Sequence, residues 1–311
     1  MGRRGRRGRP VDGILLFDKP AGLSSNQALQ RVKRLYDASK AGHTGSLDPL
    51  ATGLLPVCFG QATRVSGLLL DADKHYLVTA RLGVRTDSGD AEGAVVAERP
   101  VPPLCEADLD AALDRFRGPV DQIPPMYSAL KVNGERLYER ARRGESVERP
   151  PRRVTFHEIR LLAHAPDCLT LRVHCSKGTY IRTLVDDLGE QLGCGAHVIA
   201  LRRIGLGPWV EPPMHDLAGL EALADAAGVD KSARMAALDR VILPPDSALI
   251  DRPAVTLDAD SAFHIRHGHP VFVPKAPEGP FRLYGPDDLF LGMGEVLDDG
   301  RVAPRRLFAA L

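Results

Sequence analysis

Four residues in period-two spacing, Tyr76, Val78, Ala80 and Leu82, predict a half-buried strand that Gly83 ends. A second such run, Leu169, Leu171, Val173 and Cys175, leads through Ser176-Lys177-Gly178 into a helix. That helix turns Ile181, Leu184, Val185, Leu188 and Leu192 inward and closes at Gly193. Val11 to Phe17 is apolar enough for a short strand, and Asp18-Lys19-Pro20-Ala21-Gly22 turns the chain after it. Ser24 or Ser25 then caps a helix with Ala28, Leu29, Val32, Leu35 and Tyr36 on one face. Leu109, Ala112, Leu113 and Phe116 suit another helix, stopped by Gly118-Pro119. The expected fold class is α+β: a mixed, largely antiparallel sheet with helices packed on it.

The pattern changes after about residue 210. An Ala-rich stretch, 218–239, reads as helix, and Leu243-Pro244-Pro245-Asp246 reads as a linker. The remaining residues alternate in short runs broken by Gly, Pro and Asp, as in a small β-rich domain from residue 251 to 311. At the other end, residues 1–10 form a glycine- and arginine-rich tail too polar to fold alone, an expected disordered arm.

The net charge is +1, so no global argument for a nucleic-acid partner follows from it. The local distribution does suggest one. Residues 131–160 hold nine Lys and Arg against five Glu, and Leu201-Arg202-Arg203 adds a smaller cluster. Such an excess is what a phosphate-binding surface needs, although for 131–146 a solvated helix face with Glu–Arg pairs fits slightly better. No apolar run approaches the ~18 residues that cross a bilayer, and no apolar segment follows the N-terminal arginines as in a secretory signal. Five cysteines without a CxxC pair point to reduced thiols, a cytoplasmic setting and no structural zinc.

The most informative segment is Ala41-Gly42-His43-Thr44-Gly45-Ser46-Leu47-Asp48-Pro49-Leu50-Ala51-Thr52-Gly53-Leu54-Leu55-Pro56. Pro49 keeps Asp48 out of the helical region, and three glycines permit close backbone approach. One carboxylate is thereby held on a stiff turn among apolar residues. The spacing is not that of a P-loop, and its lysine is missing. On these grounds alone Asp48 could equally cap a turn.

The segment resembles the catalytic motif of the bacterial tRNA pseudouridine-55 synthases, the TruB family, in which GHTGxLDPxATGxLP surrounds an essential aspartate. Asp18-Lys19-Pro20, Asp73-Lys74-His75-Tyr76 and Pro125-Met126-Tyr127-Ser128-Ala129-Leu130-Lys131 fit the same family in order. So do the stretch from Cys175 to Leu184 and Leu201-Arg202-Arg203. Gly292-Met293-Gly294-Glu295 and Gly300 to Arg306 are similar to its PUA-like RNA-binding domain. Ser46 and Arg64 are minor departures. The resemblance implies a pseudouridine synthase catalytic domain over 11–250, a PUA-like domain over 251–311, and isomerisation of uridine 55 in the T-loop of tRNA. It implies no cofactor, no metal, no obligatory protein partner, and a monomer by default.

The resemblance also assigns roles. Asp48 is the essential carboxylate, acting at C1′, at C6 or on the 2′ proton. Arg182 is the cation that keeps it ionised, although Asp186, four residues on, is an equally available partner from sequence. Tyr76 backs the flipped uracil and is a candidate for proton transfer; from sequence alone it is an ordinary strand aromatic. Tyr180 lines the pocket, Leu201 lies beneath the uracil, His43 contacts displaced RNA, and Lys19 supports the active-site loop. A rival reading is a non-catalytic tRNA-folding chaperone using the same surface, which would have no need of Asp48; a guide-directed synthase fits less well. Two features stand aside. His264, His267 and His269 read as surface histidines, and Cys175 as a buried, inert thiol.

Overall fold

The structure is a computed structural model, and it describes residues 8–308 apart from 129, 133, 142 and 146. Strand β1 (Gly13–Lys19) enters helix α1 (Ser25–Leu35), where Ser24 and Gln27 form a reciprocal capping box. Strands β2 (Ala41–His43) and β3 (Thr52–Phe59) follow, then α2 (Ser66–Leu70) and β4 (Lys74–Leu82). A hairpin, β5 (Val84–Thr86) and β6 (Val95–Glu98), precedes α3 (Glu106–Asp114) and β7 (Gly118–Gln122). An excursion holds β8 (Lys131–Val132), β9 (Glu135–Arg136) and α4 (Leu137–Ala141). The chain returns through β10 (Arg152–Ala165), β11 (Cys168–Cys175), α5 (Ile181–Gln191), β12 (Ala196–Leu206) and β13 (Trp209–Val210). Helices α6 (Leu217–Ala226) and α7 (Lys231–Asp239) come next. The last part contains β14 (Ala254–Thr256), α8 (Ala259–Arg266), β15 (Val271–Phe272), β16 (Phe281–Tyr284), β17 (Phe290–Val296) and β18 (Arg301–Leu307).

The α+β expectation holds. The main sheet has the order β1-β3-β12-β4-β11-β10-β7, with β2 added on β3 and β13 on β12. Its pairs are antiparallel except β3 with β12, which touch only at Thr52 and Gly53 against Arg202 and Arg203. The alternation read in β4 and β11 is the observed burial pattern, because successive side chains point to opposite faces. Ala28, Leu29, Val32 and Tyr36 of the first helix join Ile181, Leu184, Val185 and Leu188 of α5 in the same core beneath one sheet face. Together this apolar burial, at about 25 cal/mol per Å², fixes the sheet that carries the site.

Three expectations change. The Ala-rich stretch is two helices, broken after Gly228, with Asp230 capping the second through Ala233 N. The proposed linker is packed chain: Leu243 exchanges backbone hydrogen bonds with Ile14, and Ala248 and Leu249 are buried. In the expected tail, Arg9 is fastened. Its guanidinium pairs with Asp239 at 2.6 Å and donates to Tyr36 O at 2.8 Å, while residues 1–7 lie outside the described ones.

The second sheet, β14-β16-β17-β18-β15, surrounds a core of Leu257, Ile265, Phe281, Leu283, Leu291 and Val302. Its Met293 and neighbouring Phe308 pack with Ile14, Leu54 and Leu69 of the main body. Arg306 Nη1 donates to Arg64 O, and Arg64 Nη1 to Leu307 O, so the two parts are also hydrogen-bonded.

Candidate active site

The loop between β2 and β3 is pinned from several sides. Ser25 exchanges hydrogen bonds with Leu47, its Oγ accepting from Leu47 N at 2.7 Å and donating to Leu47 O at 3.0 Å. Gly22 N donates to Pro49 O at 2.9 Å, and Ala51 N to Asp48 O at 3.1 Å. Lys19 is fully buried, and its Nζ donates to the carbonyls of Pro20, Leu23 and Pro49. One of these bonds, to Pro49 O at 3.3 Å, ties Lys19 to the residue after Asp48. Burial pushes Lys19 down to about 8, with Asp48 pulling it the other way. Gly53 has φ +95°, and a Cβ there would lie 2.2 Å from Arg203 O; only glycine lets β3 approach β12 this closely.

Asp48 therefore sits on a rigid turn, facing Arg182. Arg182 Nε lies 3.0 Å from Asp48 Oδ2, and Asp186 is engaged elsewhere, with Arg85 at 2.6 Å. The i,i+4 alternative on α5 is not the one adopted. Arg182 is itself held by Ser88 O at 2.9 Å, Tyr127 O at 2.7 Å and Asp90 Oδ2 at 3.6 Å. With its side chain only 6% exposed, this guanidinium can neither turn away nor be solvated.

Asp48 keeps a 40% exposed side chain, while protein crowds its carboxylate from the other sides. That desolvation raises its pKa; Arg182 and Lys19 oppose the rise, and Asp90 adds to it. The group is thus a carboxylate less acidic than an ordinary one, with Arg182 and Lys19 favouring its ionised form. Surface hollows of about 380 Å³ beside α3 and β10 and beside the β5–β6 hairpin contain none of these residues.

Tyr76 lies in the middle of the main sheet with 8% of its surface exposed. Burial pushes its phenol up to about 12, against the pull of the Arg203 guanidinium within hydrogen-bonding reach. The phenol stays protonated near neutrality, so it can stack or donate. Leu201 is the Cα partner of Val78 on the adjoining strand and is also 8% exposed. Tyr180 is the residue before α5, its backbone clasped by Gln122 at 2.8 and 3.0 Å. Burial raises its hydroxyl, with Ser128 opposing, and the Asp48 charge reaches it. His43 ends β2 at the entry to the Asp48 loop; its Nδ1 is buried without a protein partner, and burial lowers its pKa. The geometry thus brings Asp48, Arg182, Lys19, Tyr76 and Tyr180 into one electrostatic neighbourhood, with Leu201 on the strand beside Tyr76 and His43 at its rim.

Two residues of the site escape a sequence reading, and one cluster changes meaning. Arg203 was grouped with Arg202 as phosphate-binding, yet it is 1% exposed and donates to Leu54 O at 2.6 Å and Gly45 O at 3.2 Å. Arg202 is also occupied, by Asp18 at 2.6 Å. Alternation gives no signal here, since Ile204 and Leu206 share their parity with Arg202 and residues 203–206 are all buried. Asp90, buried behind Arg182 and bonded to Ser88 Oγ at 2.6 Å, carries no motif of its own. In the basic stretch, Arg140 and Arg143 pair with Glu135 and Glu145, the pairing that the solvated-face alternative foresaw. Lys131, Arg136 and Arg142 lie outside the side chains described. Cys175 is buried, with its thiol pushed up to about 12, as expected of an inert thiol.

Comparison with known proteins places this geometry. Residues 33–181 match the TruB family pseudouridylate synthase N-terminal domain. Residues 182–250 match the tRNA pseudouridylate synthase B C-terminal domain, and 253–308 the pseudouridine synthase II TruB C-terminal domain. The tRNA pseudouridine synthase B of Coxiella burnetii (strain Dugway 5J108-111) is 54% identical over 300 residues, covering 96% of this chain and 95% of that one. The protein of the same name from Escherichia coli (strain K12) is 52% identical over 309 residues, covering 99% and 98%. Among solved structures, a Cbf5-Nop10-Gar1 complex contains a chain of the same fold, with a TM-score of 0.72 at 23% identity, covering 100% of this chain and 90% of that one. The chain belongs to the TruB family of pseudouridylate synthases.

Proposed function

We propose that this enzyme converts uridine 55 in the T-loop of tRNA to pseudouridine. The observation that carries the reading is the Asp48–Arg182 pair, a partly exposed carboxylate held against a buried guanidinium. The curated relatives' name, tRNA pseudouridine synthase B, supports tRNA as the substrate class.

The target base is flipped out of the loop, because Asp48 cannot reach the sugar of a stacked nucleotide. The uracil lies against Tyr76, with Leu201 beneath it and Tyr180 at the wall, while His43 meets the displaced RNA. Stacking of this kind contributes roughly 1–3 kcal/mol per base. Ionised Asp48 starts the cleavage of the N1–C1′ bond; the base turns, C5 bonds to C1′, C5 gives up its proton and N1 gains one. Atoms and electrons balance within the substrate, so the reaction calls for no redox cofactor. The setting proposed is the cytoplasm, with the protein working as a monomer on the tRNA T-arm.

The test compares wild type and Asp48→Asn on an unmodified T-arm and on whole tRNA, scoring binding and pseudouridine at position 55. Normal binding with no product in the variant supports the reading. Wild type that binds both RNAs without forming pseudouridine would make the protein a tRNA-folding chaperone instead; product at another position would reassign the substrate site.

A further inference from the structure

The proposed reaction leaves part of the Asp73-Lys74-His75-Tyr76 motif unused. Tyr76 faces the site, so His75, one residue before it, lies on the opposite face of the sheet. There its ring stacks on that of His174, its Cα partner on β11, at 4.0 Å and 11° between planes. His157 joins them, with its ring 4.6 Å from that of His174. A β-bulge puts it there. Phe156 pairs with Cys175 and Glu158 with His174, so His157 is the extra residue of β10, turned toward its neighbour.

Asp73 completes the group. Its Oδ2 lies 3.2 Å from His157 Nε2 and 3.8 Å from His174 Nε2. An ordinary ion pair would direct one carboxylate oxygen at one imidazole; here the same oxygen faces two. Metal–nitrogen and metal–oxygen bonds to Zn²⁺ are each about 2.1 Å, which sets tetrahedral ligand atoms about 3.4 Å apart. The two measured separations bracket that value, and one ligand atom from each residue lies within 4.8 Å of the others.

We infer that Asp73, His157 and His174 form a site for a divalent late first-row transition ion such as Zn²⁺. Neutral imidazole and carboxylate are the ligands such ions take, and three of them leave a fourth position for water. The ligands stand on fixed backbone: β10 and β11 are paired, and Asp73 O accepts from Gly207 N at 2.9 Å. The ring of His75 stacks flat on that of His174, which limits how far the His174 ring can turn. All three ligands reach solvent, the side chains being 28% to 46% exposed, so an ion can enter without the sheet opening. A bound ion would tie the turn before β4, the strand that carries Tyr76, to β10 and β11.

The experiment titrates the full chain with ZnCl₂ alone, by calorimetry and by thermal midpoint. The expected result is one Zn²⁺ per chain, saturating below about 100 µM, with a midpoint that rises with zinc. Asp73→Asn and His157→Gln should each weaken binding at least about tenfold and abolish the zinc-dependent rise. Both are exposed polar replacements, and their metal-free midpoints check that they fold. A variant with His264→Gln, His267→Gln and His269→Gln should bind zinc like wild type, since those residues belong to the other sheet. No saturable binding in the wild type would overturn the inference. So would binding that both single variants leave intact, or that the triple variant removes.

Discussion

Arg182 and Arg305 both pair with carboxylates, but they live under different rules. Arg182, on α5, is buried at the candidate site, where Asp48, Asp90 and two carbonyls surround it. Arg305 is exposed on β18 of the second sheet and pairs with Glu295 on the neighbouring β17. Buried charges interact strongly and cost much to desolvate, so each depends on its partners; exposed ones are screened by water and salt. The protein therefore concentrates electrostatic consequence in a few residues of the candidate site and leaves the second sheet's fold to apolar packing around Phe281, Leu283 and Val302.

The sharpest test separates chemistry from stability at one residue. Asp48→Asn should lower kcat by at least about 10⁴-fold, the scale of losing a nucleophile or base. It should not lower the thermal midpoint at neutral pH. The sign follows from the raised pKa of Asp48: the folded state holds this proton more tightly than the unfolded chain. Ionising it thus works against the fold as pH rises through that range. Removing the charge relieves this, and Arg182 keeps Asp90. A variant melting well below wild type would show that Asp48 is held mainly for structure.

Arg182→Met should do the reverse in stability and less in rate. It strands two carboxylates, costing about 3 kcal/mol; this is the low end for a buried pair, because Asp48 retains contact with water. The rate should fall by about 10² to 10³-fold. Since Arg182 lowers the Asp48 pKa, the acid limb of the pH–rate profile, already above the ordinary carboxylate range, should move to still higher pH. An unmoved acid limb would mean that a different group controls it. Lys19→Met comes next: three carbonyls lose their donor, including Pro49 O, for about 1–3 kcal/mol. Its rate loss should be smaller than that of Arg182→Met and partly restored by Lys19→Arg, as measured by single-turnover kinetics.

The same contrast explains what could be read from the sequence. Elements with one apolar face were legible: β4, β11, α1 and α5 stand within a residue or two of the pattern. Strand β3 was not, because Gly53 and Pro56 suppress the strand signal. Gly53 is needed for the approach to β12. β3 meets β12 only at Thr52 and Gly53 and β2 only from Val57 to Phe59, so Pro56 falls between the two ladders, where its carbonyl accepts from Thr44 N at 3.2 Å and no N–H is called for. Asp48 was legible through its motif. Its environment was not: whether Arg182 would choose Asp48 or Asp186 is decided by Arg85, on a distant hairpin, which occupies Asp186. Arg203 was misread because a charged residue suggests surface, and only tertiary packing shows that its donors are consumed by Leu54 and Gly45.

The smallest effect is expected on the second sheet, and it tests the contrast from the other side. Arg305→Ala removes a close ion pair between adjacent strands, yet both partners remain hydrated when separated. The apolar residues beneath them are untouched, and the β17–β18 backbone ladder does not involve either side chain. Thermal melts of wild type and Arg305→Ala should coincide at low and at high salt. A midpoint that falls as far as that of Lys19→Met, and falls only at low salt, would show that surface charge carries part of this sheet's stability. The division between a charge-dependent site and a packing-dependent second sheet would then fail.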